Sequence, residues 1–290
     1  DGARFETTAA VVPRVSQGLP GQQAGTLTPS GQSGFGDRAT GVVIRRPGAD
    51  ASTPEPNGAD TNGEPDAEAA LVQYAAKFQS TGDKPKLAIV LLDTGTLSFA
   101  AEALRNFQQP LSIALAPSRK TAADLMRSYR TEGYEILGLA ELAEGARPAD
   151  IEVAFEAYSI ALPEMIGFLD RDNDTLHTQS GARAQLAEIL AERGMGLVSS
   201  VRGLNPVVAE MTRGDVPAIA AFRDLGSIET DVRAIRRFLD QAAFEAAQSN
   251  EGIVVVGQLQ PTIISGLLLW GVGRKADGVE IVPVSHLLLN

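Results

Sequence analysis

The stretch Lys86–Gly95, KLAIVLLDTG, is an unbroken apolar run of strand length that ends in a carboxylate, a threonine and a glycine. A strand that is apolar at every position, rather than at alternate ones, is buried on both faces, as in a parallel sheet covered by helices. Working outward, the same pattern repeats. Leu87–Leu92 reads as a strand, and helices are expected over Phe99–Phe107, Lys120–Thr131, Ile151–Leu162, Ala182–Arg193, Glu229–Ser249 and Thr262–Trp270. Between them, strands are expected at Leu111–Leu115, Tyr134–Leu137, Met165–Leu169, Gly196–Ser199, Val216–Ala220, Gly252–Val256 and Val279–Val282. Strand runs that alternate with helices define an α/β domain, its sheet either open or closed as a barrel.

The periodicity begins only after Asp66. Residues 1–66 hold eleven Gly and seven Pro, with no apolar repeat. Such a segment buries too little apolar surface to offset its ordering entropy, and it reads as a disordered tether. Asp66 is placed to cap a helix over Ala67–Phe78, with Leu71, Tyr74, Ala75 and Phe78 on one face. Residues 67–84 are thus expected to be a leading helix and linker packed on the domain, and 67–290 the domain itself.

Composition narrows the function classes. The chain is 44% hydrophobic and 21% charged, ordinary for a globular protein. It contains no Cys, so disulfides, thiolate metal sites and cysteine nucleophiles are excluded. A net charge of -11 argues against nucleic acid as a partner. No run approaches the roughly 18 apolar residues that cross a bilayer. The first residue is Asp1, which suits a product trimmed from a longer precursor.

Six segments resemble, in order and spacing, the divergent polysaccharide deacetylases, relatives of chitin and peptidoglycan deacetylases. They are Lys86–Gly95 (KLAIVLLDTG), Pro110–Pro117 (PLSIALAP), Gly133–Leu137 (GYEIL), Arg193–Ser200 (RGMGLVSS), Gly257–Thr262 (GQLQPT) and Gly278–Ser285 (GVEIVPVS). The resemblance implies a distorted (β/α) barrel of about seven parallel strands ringed by helices. It also implies a divalent metal, held by one Asp and two His, that polarises an acetyl carbonyl and activates water, with a second Asp as base.

The expected site is where the chain departs from that pattern. Leu92 stands at the first carboxylate of the Asp-Asp pair and only Asp93 remains. Leu139 falls at one His and Arg171 at the second, while the later Asp-Ser pair becomes Ser199-Ser200. Gln258 and Leu259 replace a late His-Pro. The whole chain has two histidines, His177 and His286. His286 reads as a surface or packing residue, and His177 reaches the site only if its loop rearranges.

Other constellations are weaker. Asp170–Asp174 (DRDND) resembles a calcium loop but lacks the Gly and Glu an EF-hand needs, holding Thr175 and Gly181 there. Asp93-Thr94-Gly95 has no partner motif to make an aspartic protease. Gly271-Val272-Gly273 follows a helix, the wrong order for a dinucleotide site, and reads as a helix end. Ser199-Ser200 lacks the setting of a nucleophile elbow. Trp270 reads as core, and Arg233, Arg236 and Arg237 as a solvated helix face.

The resulting expectation is a degenerate deacetylase-like domain of the bacterial cell envelope, with no cofactor and no bound metal. A vestigial cleft of Asp93, Glu141, Asp170, Asp172, Asp224 and Gln258 would bind cell-wall glycan or an envelope protein. The periplasm is the expected location, with membrane tethering through a segment N-terminal to this chain. Two alternatives stand beside it. One is a metal-dependent deacetylase with an altered site of Asp93, His177 and acidic loop residues. The other is an interaction module that regulates peptidoglycan hydrolases.

Overall fold

Side chains alternate across a strand, so each strand of a covered sheet must supply two apolar faces. In the computed structural model Leu87, Ile89 and Leu91 of β1 (Lys86–Asp93) join an outer core shared with the helices, while Ala88, Val90 and Leu92 join a second, inner core. The structure describes residues 69–97, 100–105, 107, 109–171, 173–200, 203–225, 231–249, 251–273 and 276–290. The tether read over 1–66 lies outside the described residues. By backbone contacts the chain divides into Asp1–Asp60 and Thr61–Asn290, and the architecture that follows is that of the second unit.

After β1 come α2 (Ala100–Leu104), β2 (Ser112–Leu115), α3 (Ala122–Thr131), β3 (Glu135–Leu139), α4 (Pro148–Ala161) and β4 (Met165–Asp170). Then follow α5 (Asp174–Thr178), α6 (Ser180–Glu192), β5 (Gly196–Ser199), α7 (Pro206–Arg213), β6 (Ala218–Ala220) and β7 (Arg223–Asp224). The chain ends with α8 (Val232–Ala246), β8 (Ile253–Gln258), α9 (Pro261–Gly271), β9 (Glu280–Val282) and α10 (Val284–Leu288). The strands form one sheet in the order β6-β5-β4-β3-β2-β1-β8-β7, with β9 also on β1. Every pairing is parallel.

A single run of chain joins the two edges of this sheet. β6 pairs with β5 and β7 pairs with β8, and only Ala221 and Phe222 separate them. Ala221 N donates to Ser199 O at 2.7 Å and Phe222 N to Val254 O at 2.8 Å. The sheet therefore curls into the expected distorted (β/α) barrel. Two very short strands, β7 and β9, raise the count above the expected seven. Where β4 meets β5 the backbones nearly touch: a Cβ on Gly167 would lie 2.0 Å from Gly196 O, so only glycine fits.

The barrel's N-terminal end is closed by both ends of the unit. α1 (Ala70–Gln73) is shorter than the helix read over Ala67–Phe78, because the chain beyond it is drawn away to other partners. Ala76 N donates to Glu135 Oε2 at 3.1 Å, and Ser80 and Thr81 hold the Glu280 carboxylate. Leu71 of α1 and Val284 and Leu288 of α10 fill the inner core from below. At the centre of this plug, Glu135 is fully buried. Its Oε1 accepts from Ser112 Oγ at 2.6 Å and Ser285 N at 3.1 Å, and Ser285 Oγ donates to Oε2.

His286 sits in the same plug, its ring edge-on to Phe78 with centroids 5.4 Å apart, as a packing residue does. Burial, and next the Lys86 charge, hold its proton affinity below the ordinary value of 6.5, while Glu280 acts the other way. The unfolded chain therefore takes up this proton first as pH falls through 6.5, and stability is lost from there downward.

Two outcomes are expected. Glu135→Ala leaves three buried donor groups unpaired and lowers unfolding free energy by about 3–5 kcal/mol; a loss under about 1 kcal/mol in urea titration would dissolve the plug argument. Melting temperature should fall between about pH 7.5 and 5.5, and His286→Phe should flatten that fall; an identical slope in the variant would assign the dependence elsewhere.

Candidate functional site

Parallel strands that share a direction end together, and their C-terminal rim is where distant parts of the chain meet. Register places Leu92 of β1 opposite Gln258 of β8, Asp170 of β4 opposite Ser199 of β5, and Asp224 of β7 opposite Val256. The alternation of side chains then decides which residues face the lumen. Leu92, Leu169, Val198 and Val256 are buried members of the inner core, and Leu139 and Ile219 pack against it. Two residues on from these, Arg171 and Gln258 share the inward side, as Asp224 does beside Val256. Arg171 Nε donates to Asp224 Oδ2 at 2.7 Å, which ties β4 to β7 across the rim. Gln258 Oε1 accepts from Gln260 Nε2 at 2.6 Å.

Asp93 belongs to the other side. It follows Leu91 at a spacing of two and turns toward the helices, 2% exposed. Its Oδ1 accepts from Gly95 N at 2.7 Å and Arg119 Nη1 at 3.3 Å, and its Oδ2 from Tyr129 Oη at 2.9 Å. Burial first, and then the Asp93 charge, push the Tyr129 phenol well above its ordinary range, so it stays a donor.

Asp170 also faces the helices, under α5 and α7. Its Oδ2 accepts from Ser199 Oγ at 2.8 Å and lies 2.9 Å from His177 Nε2, and its Oδ1 accepts from Asn173 N at 3.2 Å. Asn205 Nδ2 donates to Ser199 Oγ at 2.9 Å. His177, Leu204, Asn205, Pro206 and Ala209 line an open pocket of about 570 Å³. The acidic run at Asp170–Asp174 works as a helix start: Asn173 Oδ1 accepts from Thr175 N and Leu176 N. Glu141 lies past β3, where its Oε2 accepts from Ser118 N at 3.2 Å. Asp172 is outside the described residues.

The structure thus joins Asp170 to His177 and Ser199, and Arg171 to Asp224, while Asp93 and Glu141 keep separate partners. Sequence reasoning missed the places of His177, Ser199, Asn205, Tyr129 and Arg119. One signal was present: Asn173 and Asn205 are helix-capping residues, and a capped turn brings His177 back over Asp170. Among the described residues no three His, Asp or Glu side chains converge as a metal would require. The groups at the inward rim are hydrocarbon, an amide and an ion pair that includes a guanidinium. They do not fit the divalent metal that the resemblance implies, which needs neutral imidazoles and a carboxylate. Likewise the proposed pairing of Asp93 with His177 is not formed.

The family model of the divergent polysaccharide deacetylases matches residues 89–288, and the chain belongs to that family. An uncharacterized protein from Agrobacterium tumefaciens shares the fold, with a TM-score of 0.64 and 18% identity over 76% of this chain and 95% of that one. A family 4 carbohydrate esterase from Streptomyces lividans gives a TM-score of 0.39 and 11% identity over 68% and 91%. A Bdellovibrio bacteriovorus peptidoglycan deacetylase gives 0.40 and 9% over 72% and 54%. No curated protein matches significantly.

If Asp93 is a structural anchor, Tyr129→Phe should cost about 1–3 kcal/mol of stability, since it strips a donor from a buried carboxylate. Denaturant unfolding reads this directly, and an unchanged midpoint would mean that Asp93 is not held as described.

Proposed function

We propose that this divergent polysaccharide deacetylase has exchanged hydrolysis for binding, and that its rim takes up a cell-wall glycan or an envelope protein. The observation that carries the reading is the direction of the side chains at the strand ends. Inward positions hold Leu92, Leu139, Leu169 and Val198, while Asp93 and Asp170 turn outward, each into three hydrogen bonds. A water activated for attack needs a base or a metal beside it, and hydrocarbon supplies neither. What remains at the mouth is the Arg171–Asp224 pair and Gln258, with the pocket beside His177 on the helix side. Guanidinium, carboxylate and amide groups are what sugar hydroxyls or a peptide backbone would hydrogen-bond. A periplasmic location, with tethering to the inner membrane through a segment N-terminal to this chain, belongs to the same proposal. The altered-site deacetylase is disfavoured, because Asp93 and His177 already have separate partners, Tyr129 of α3 for the first and Asp170 of β4 for the second.

The full chain, stripped of metal and titrated with zinc in a calorimeter, should show no stoichiometric sub-micromolar binding and should release no acetate from acetylated glycans. It should be retained on insoluble cell-wall glycan or co-purify with an envelope protein, and Arg171→Ala should weaken that retention. Tight zinc binding abolished by Asp93→Ala would overturn the proposal and restore the deacetylase.

A further inference from the structure

α4 is apolar on two sides, which a surface helix ordinarily is not. Ile151 and Phe155 are buried in the outer core. Val153, Ala157 and Ile160 form a second stripe at spacings of four and three, and Val153 and Ile160 are 71% and 73% exposed. α4 packs on α6, and between them lies an open groove of about 460 Å³, with Val153 and Ile189 in its lining. Its remaining lining is four glutamates with Gln185 and one cation, Arg193. Glu152 and Glu156 on α4 face Glu188 and Glu192 on α6, each pair one turn apart. Like charges at that spacing destabilise a helix by about 0.2–0.5 kcal/mol per pair, so neither helix gains from them alone. Arg193 Nη2 bonds Glu156 at 2.7 Å, whereas Glu152, Glu188 and Glu192 have no ion-pair partner among the described residues.

We propose that the α4–α6 groove docks a basic amphipathic helix of a partner protein. Apolar residues of that helix at spacings of three, four and seven would cover Val153, Ala157 and Ile160. Its Lys or Arg residues would meet Glu152, Glu188 and Glu192, the helix-in-groove mode of recognition. Charge selects this occupant. The acidic rim repels anionic lipid, and it repels a second copy of a chain whose net charge is -11. The surface lies in the helix layer, away from the rim, and the inference does not depend on the binding role assigned there.

The test uses the full chain and a synthetic helical peptide with leucines on one face and arginines beside them. Its control is a peptide of the same composition scrambled to break the face. Fluorescence anisotropy should show binding of the first peptide that weakens with salt and falls about tenfold or more in Glu188→Lys/Glu192→Lys. Binding should survive Arg171→Ala, which separates this surface from the rim. The chain has no Cys, so Val153→Cys offers one labelling position, and a probe there should be shielded by the peptide. Val153, Glu188 and Glu192 are exposed and Arg171 partly so, and unchanged melting temperatures would show that the variants fold. Absence of binding, equal binding of the scrambled peptide, or full affinity in the charge-reversed variant would each overturn the proposal.

Discussion

Burying a carboxylate without a cation costs several kcal/mol unless hydrogen bonds replace its water, and Glu135 meets that condition only because three separate pieces of chain converge on it. Ser112 comes from the start of β2, Ala76 from the leader, and Ser285 from the last helix. No cation pairs with it among the described residues. A side chain in this position forces a specific order on the fold. β2 and β3 must be in register, and the leader and α10 must both cross the N-terminal end of the barrel, before the charge is satisfied. The inner core depends on the same event, because Leu71, Val284 and Leu288 enter it on those two segments.

The opposite end of the barrel obeys a simpler rule. Strand side chains alternate with a period of two, so one residue decides whether a carboxylate meets the lumen or the helices. Asp93 and Leu92 are such neighbours. Leu92 lines the inner core, and Asp93 is spent on Tyr129, Arg119 and the turn at Gly95. Asp170 and Leu169 repeat the arrangement on β4. The lumen is consequently lined by hydrocarbon nearly to its mouth, where an ion pair crosses it.

Much of the architecture was legible, and the reasons are physical. Runs such as Lys86–Asp93 and Ile253–Gln258 are apolar at nearly every position, and burial on both faces leaves a sequence few other options. Trp270, read as core, is buried with its indole nitrogen 3.1 Å from Asp240. Gly271 closes α9 and Gly273 follows it, and Arg233, Arg236 and Arg237 are exposed. Elements that rest on tertiary partners were less visible. α10 and β7 are five and two residues long. The length of α1 is set by hydrogen bonds made elsewhere and not by its own periodicity. α7 went unread although Asn205 and Pro206 form a strong helix start. For the site, the resemblance supplied expected substitutions and no geometry. Aligning Arg171 with a missing His says nothing of its partner Asp224, which is 53 residues away.

Stability and rim chemistry are therefore carried by opposite ends of the barrel. At the base, the fully buried Glu135 cannot lose a donor without leaving charge or hydrogen-bonding groups stranded. At the rim, Arg171 and Asp224 keep 24% and 17% of their side-chain surface, whereas Glu135 keeps none. Replacing the partly exposed pair is expected to cost the fold less than replacing Glu135. A barrel built this way can vary at its mouth while the sheet, its closure through β6 and β7, and the plug beneath remain intact. The fold by itself assigns no chemistry, and the role of this chain has to be read from the groups that stand at the rim and on α4.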